Sequence, residues 1–287
     1  MPRPAARLAD PHTCPLVAPS GAPHVGGPIM PPCAPTVFIE GKPVARVTDH
    51  AFCVGVPPDT IRGGLISVFV EGNPPSRMGD MTDVGSITAG SATVFLGEWA
   101  GGALTAEQAQ WLYNYMASQQ DIPFEYANNG CFTRADRMAE HINSLGIPVE
   151  KFWVRATTAS GALDVPIANY PGGGVMWDWH VAPIVQVASP SGPVGMVIDP
   201  SLSLGRPVTT TEWISAQNPN PASTVSGTTS RDVYTRGWDY SSETWDASGD
   251  HMRDPATTSA HLDHFRDLRA ALPASSGRNI ANAPVHF

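Results

Sequence analysis

Three residues have side chains suited to covalent chemistry, and they occur in the order Cys131, His180, Asp199. Cys131 lies in "NNGCFTRADRM" (128–138), between an Asn/Gly turn and a run of helical period. Ala135, Met138, Ala139, Ile142 and Leu145 fall on one stripe, ended by Gly146 and Pro148, and Asn128 or Asn129 can cap the helix. A sulfur at a helix start meets free N–H groups and the positive end of the dipole, which favour a thiolate. His180 opens an alternating apolar run, "WDWHVAPIVQV" (177–187), that reads as a strand. A turn, "ASPSGPVG", leads to a second strand, "MVIDPSL" (196–202), stopped at Asp199–Pro200. A hairpin about that turn sets His180 almost opposite Asp199, with Cβ atoms within about 5.5 Å. Asp199 then accepts one imidazole N–H and leaves the other nitrogen facing a helix-borne cysteine. A one-residue slip of register defeats the arrangement. Taken singly, the three also read as a buried thiol, a core histidine and a strand terminator. Their joint geometry favours a nucleophile, a base and its orienter.

The chain that positions them has 287 residues, 42% of them hydrophobic, enough for one large domain or two ordinary ones. A net charge of −9, with lysine only at Lys42 and Lys151, argues against a nucleic-acid backbone or an acidic membrane surface as partner. The sequence contains no 18-residue apolar run, so no membrane span is expected, and "MPRPAARLADPHTCP" lacks the apolar core of a general secretory signal.

Two regions differ in grammar. Residues 1–98 are rich in Pro and Gly and carry a degenerate repeat: "PTVFIEGKPVARVTD" from Pro35, "ISVFVEGNPPSRMGD" from Ile66, a truncated "ATVFLG" at Ala92, and the tail "AARLAD" of an earlier copy. Short strands with Gly/Pro turns predict a small all-β fold with a thin core that a metal would help close. Cys14, Cys33 and Cys53 share this segment with His12, His24 and His50, a grouping that suggests a metal more than disulfides. "GEWAGGALTAEQ" (97–108) is the joint. Thr105 is a plausible N-cap with Gln108 at the capping-box position, and an amphipathic helix follows. "SAHLDHFRDLRAAL" reads as a surface helix, with His251, His261 and His264 on a solvated face. "SAQNPNPASTVSGTTSRDV" reads as loop-like.

Two family resemblances sit on these motifs. "AARLAD…VARVTD…SRMGD", with "PHTCP", "PHVGG" and "GSATVFLG", resembles the PAAR-repeat family, over nearly all of residues 3–97. The resemblance implies a pointed β-cone that caps a type VI secretion spike, docks on a trimeric VgrG-like spike protein and holds a zinc. The matching ligands are His12, His24 and Cys53; the family's last histidine is missing from "MTDVGSI", and His50 is the candidate substitute. "GCFTRADRMAEHINSLGIPVEKFWV", "WDWHVAPIVQV" and "VIDPSL" resemble the bacterial protein-glutaminase family, over roughly residues 125–205. That implies a papain- or transglutaminase-like α+β core in which Cys131, His180 and Asp199 hydrolyse glutamine side-chain amides without a cofactor. The expectation is a multidomain chain: a PAAR cone (1–98), a linker (99–104) and a cysteine hydrolase domain (105–287). Delivered by the type VI system into a target cell, it would act on a protein substrate there, and an immunity protein is a possible further partner. A papain-like protease, a transglutaminase and a non-enzymatic spike-tip adaptor remain the alternatives.

Overall fold

Local sequence rules account for the elements of a computed structural model that describes residues 2–17, 21, 23–54, 57–97, 102–124, 126, 129–157, 163–166, 173–217, 224–239, 242, 244–271 and 280–281. Contacts divide the chain into two units, Met1–Gly101 with His141–Ile147, and Gly102–Glu140 with Pro148–Phe287. The expected joint falls partly on residues 98–101, outside the described residues. Among the described residues no helix is long and apolar enough to cross a membrane.

The first unit is β-rich, built from strands of two to four residues, and its repeats close on one another in a cycle. Ala6 N–H donates to Ser76 O, Ser76 N–H to Ala45 O, and Ala45 N–H to Ala6 O, at 2.8, 2.8 and 3.0 Å, and all three residues are fully buried. One step outward the cycle repeats, with Leu8, Met78 and Val47 donating to Pro43, Pro4 and Pro74. Each copy ends in the same Arg-x-x-Asp clasp: Arg7–Asp10, Arg46–Asp49 and Arg77–Asp80, where the Arg backbone N–H and guanidinium both donate to the carboxylate. The residue before each Asp has positive φ, at Ala9, Thr48 and Gly79. Only glycine adopts that backbone without strain, so the clasp imposes the turn on the other two copies. The repeat seen in sequence is therefore a pseudo-threefold.

In the second unit, helix α1 (Ala106–Ala117) starts on the expected capping box, with Thr105 and Gln108 bonded reciprocally. Helix α2 (Cys131–Ser144), in this unit as far as Glu140, ends where Gly146 takes φ +80° and its N–H returns to Asn143. The strands are β1 (Glu150–Ala156), β2 (Leu163–Pro166), β3 (Gly174–Trp177), β4 (Trp179–Val187), β5 (Val194–Val197) and β6 (Val208–Thr209), followed by α3 (Thr210–Ser215) and β7 (Thr224–Ser230). A five-stranded antiparallel sheet runs β6-β5-β4-β1-β7. β1 is buried continuously from Lys151 to Arg155 because both of its faces are covered. Phe152, Val154, Ala182, Ile184 and Val197 pack against β2, β3 and Trp213 on one face. On the other, Trp153 and Val181 pack with Cys131, Phe132 and Ala135 of α2, and with Tyr234 and Phe265.

Two expectations change here. Thr224–Ser230, expected as loop, is a strand paired along all of β1. Its Ser/Thr/Gly composition hides the fact that a well-formed neighbouring strand supplies the ladder. Helix α4 (Pro255–Ala271) is not a plain surface helix: Leu262 and Phe265 are buried, and Phe265 stacks on Tyr126 at 5.5 Å. His251 and His264 are exposed, but His261 is half-buried and its Nδ1 lies 2.8 Å from Tyr234 Oη.

Candidate active site

The β4–β5 hairpin forms about the expected turn, with Ile184 paired to Val197. Continuing that register sets Asp199 opposite Ala182, one same-face step from His180. The offset is even, so both side chains stay on one face. His180 Nε2 lies 2.8 Å from Asp199 Oδ2, and both residues are almost fully buried. Asp199 also accepts from Trp213 Nε1 at 2.8 Å on the same oxygen, and from the N–H and hydroxyl of Ser201 on the other. Two indoles stack on the imidazole, Trp177 at 4.1 Å and Trp213 at 5.1 Å, both nearly parallel to it. Among the described residues, His180 Nδ1 is buried without a hydrogen-bond partner.

Cys131 is the first residue of α2. Asn128, one of its two proposed caps, lies outside the described residues; Asn129 bonds to Gly130 N–H through its side chain. The backbone at Phe132 and at Val181, the residue after His180, acts electrostatically on the Cys131 thiol and favours its ionised form. Asp199 acts electrostatically on Cys131, and Arg134 acts on both Cys131 and His180. Buried Arg134 clamps the approach to the helix by donating to the carbonyls of Tyr126 and Asn129, each at 2.7 Å.

Burial sets the resting charges. It pushes the Cys131 thiol up to about 12, outweighing Arg134 and the backbone at Phe132 and Val181. The expected thiolate at the helix start is therefore not the resting state. Burial also pulls His180 below its ordinary value despite Asp199. Burial pushes Asp199 up, but His180 and the hydrogen bonds from Ser201 and Trp213 outweigh it and hold the carboxyl low. At neutral pH the site is a thiol, a neutral imidazole and a carboxylate.

Sequence reasoning did not single out Trp213, Ser201 or Arg134. The Thr209/Glu212 capping box that starts α3 was legible and would have fixed the helix carrying Trp213.

In the first unit, His24 and Cys53 come together with Cys14: one ligand atom from each lies within 4.8 Å of the others, and His24 Nδ1 is 3.8 Å from both sulfurs. A tetrahedral zinc requires sulfur–nitrogen edges of about 3.6 Å, so the three donors fit one centre. Burial and the neighbouring Cys14 push the Cys53 thiol up to about 11, a cost that a bound cation removes. His12 and His50 are outside this group. His12 Nδ1 lies 2.9 Å from Gly27 O, and its Nε2 lies 3.3 Å from Asp59 without hydrogen-bond alignment. His50 is exposed, because three steps along a strand turn it to the face opposite buried Cys53. Cys33 is also apart; burial raises its thiol to about 12 and its sulfur donates to Met30 O.

No curated protein sequence matches the chain. It is similar to the crystal structure of protein-glutaminase, with 25% identity, 58% of this chain and 90% of that one covered, and a TM-score of 0.45. For the NMR structure of protein-glutaminase from Chryseobacterium proteolyticum the values are 24%, 61%, 95% and 0.47. For the crystal structure of pro-protein-glutaminase they are 19%, 76%, 76% and 0.45. The assignment rests instead on two family matches: the PAAR motif at residues 20–90 and the glutaminase family at residues 109–217. An N-terminal PAAR segment is thus fused to a C-terminal glutaminase-like domain.

Proposed function

We propose that the second unit is a cysteine amidohydrolase, with a papain- or transglutaminase-like core, that deamidates glutamine or asparagine side chains of proteins. The observation that carries this reading is the His180–Asp199 pair, with Nδ1 buried and unpartnered among the described residues, while the backbone of the next residue, Val181, acts electrostatically on the Cys131 thiol. As the sulfur attacks the carboxamide carbon, its proton passes to His180 Nδ1. Backbone N–H groups at the start of α2, including that of Cys131, hold the oxyanion. His180 gives the proton to the departing nitrogen, the C–N bond breaks, and ammonia leaves a thioester behind. Water then attacks, its proton moves to His180 and on to the released sulfur, and the product is a carboxylate. Asp199 stays ionised and balances the imidazolium formed in each half-reaction.

A neutral resting thiol suits this sequence, because proton transfer and attack are coupled when substrate fills the site. The glutaminase match favours a side-chain amide over a peptide bond. Ammonia release from a glutamine-containing protein that stays intact on a gel supports deamidation. Fragments indicate a protease, amine incorporation indicates a transglutaminase, and no chemistry at all indicates an adaptor.

The PAAR segment supports delivery: a type VI effector carried from the bacterial cytoplasm into a target cell on a VgrG-like trimer. Three copies of a Val-Phe pair lie at equivalent places in the pseudo-threefold, and Phe38, Phe69 and Phe95 are exposed. Exposed apolar side chains repeated three times suit a threefold partner. Cys14, His24 and Cys53 would hold a structural zinc that cross-links a unit with a thin core.

A further inference from the structure

We infer that Trp213 is a positioning residue for this reaction, its indole N–H fixing the Asp199 carboxylate while its ring and that of Trp177 clamp His180 with Nδ1 free. The inference rests on the amidohydrolase reading and adds to it a residue outside the Cys-His-Asp set. Trp213 is fully buried on α3, held edge-on by Phe152 at 5.7 Å, and its Nε1 is 2.8 Å from Asp199 Oδ2. That oxygen also takes His180 Nε2, so two ring N–H donors fix it, while Ser201 fixes the other oxygen. A buried carboxylate without such donors drifts toward its neutral form and stops orienting the imidazole. The ring faces have a separate effect. With two near-parallel indoles stacked on it at 4.1 and 5.1 Å between centroids, the imidazole can carry positive charge against electron-rich surfaces. They favour the imidazolium that forms during attack, against the burial that opposes it. The charged and titratable groups acting on this pair are Arg134 on His180, and Cys131 and Tyr113, which both sense Asp199.

The test uses the full chain and Trp213→Phe, with two pH profiles: ammonia release from a capped glutaminyl-glycine dipeptide, and alkylation of Cys131 by iodoacetamide. Phenylalanine keeps an aromatic face and removes the donor. The expected result is a kcat lower by roughly 10–100-fold, one charge-assisted hydrogen bond, with KM within about twofold. The acid limb of kcat/KM should move to higher pH, because Asp199 loses a hydrogen bond that favours its ionised form. A merely structural role would shrink the active fraction without moving that limb. Superimposable profiles with kcat within about twofold would overturn the inference. If the variant does not fold, indole-15N-labelled wild type decides. The Trp213 N–H resonance should shift as the pH falls and the His180–Asp199 pair takes up protons, and an unresponsive resonance overturns the proposal. If wild type releases no ammonia, the amidohydrolase reading fails, while the pH response of the Trp213 N–H resonance still judges its hold on Asp199.

Discussion

At the scale of the residue, the resting charge of Cys131 leads to an expectation opposite to that for an ordinary reactive thiol. With burial holding it near 12, iodoacetamide should label Cys131 in the folded chain far more slowly than in guanidinium at the same pH. Equal rates at neutral pH would contradict the buried, neutral thiol. His180 gives a second expectation. Its folded value is depressed, so the unfolded chain takes up a proton first as the pH falls through about 6.5. Its share of stability is complete above that pH and is lost below it, at up to about 1.4 kcal/mol per pH unit, until the folded value is reached. Asp199, also depressed, contributes stability above its ordinary 3.8 that is lost only at lower pH. Denaturant titrations from pH 7 to 5 should show the decline, and His180→Gln should flatten it. The helix start at Cys131 and the closeness of His180 to Asp199 were legible because each sits in a local signal, a helix start or a hairpin strand. Trp213 was not, since its role exists only once α3 folds back onto Asp199. Cys14 joins the His24–Cys53 group and His50 does not for a related reason, because strand alternation separates His50 from Cys53 despite their closeness in sequence.

At the scale of the element, a buried ionic knot ties α2 to β1 and to the start of α4. Lys151, fully buried, donates to Asp136 and to Val233 O, each at 2.8 Å. Asp136 also accepts from Arg253 at 3.2 Å and from the Thr258 hydroxyl at 2.8 Å. Burial pulls the Lys151 ammonium below its ordinary value, and Asp136 opposes that. Asp136→Ala leaves the ammonium without its counter-ion and should cost about 3–5 kcal/mol in chemical denaturation. Lys151→Met removes the buried charge itself and should cost less. If the methionine variant is the more damaging, the knot is not the reason these elements cohere. Periodicity and caps were enough to place α1, α2 and the β4–β5 hairpin. β7 escaped notice because its stability comes from pairing with β1, and α4 because only Leu262 and Phe265 among its polar residues mark a buried face.

At the scale of the whole molecule, two units divide the labour proposed for it. The sequence repeat foretold the cyclic first unit, since each Arg-x-x-Asp clasp is a local motif, but the closing hydrogen bonds among Ala6, Ala45 and Ser76 join all three copies and need the fold. Metal analysis of the pure chain should find close to one zinc per molecule, reduced by Cys14→Ser and His24→Ala and unchanged by His50→Ala. A chelator should lower the melting temperature of wild type but not of Cys14→Ser. Equal zinc content in all of them would move the site elsewhere. The central claim, that Cys131 hydrolyses side-chain amides of proteins, meets its most direct test in intact-mass spectrometry of a glutamine-containing protein incubated with wild type and with Cys131→Ala. Wild type should leave the substrate at full length, heavier by the replacement of amide nitrogen with oxygen and matched by free ammonia, while Cys131→Ala leaves it unchanged. An unmodified substrate with wild type, cleavage into fragments, or equal deamidation by Cys131→Ala would contradict the claim.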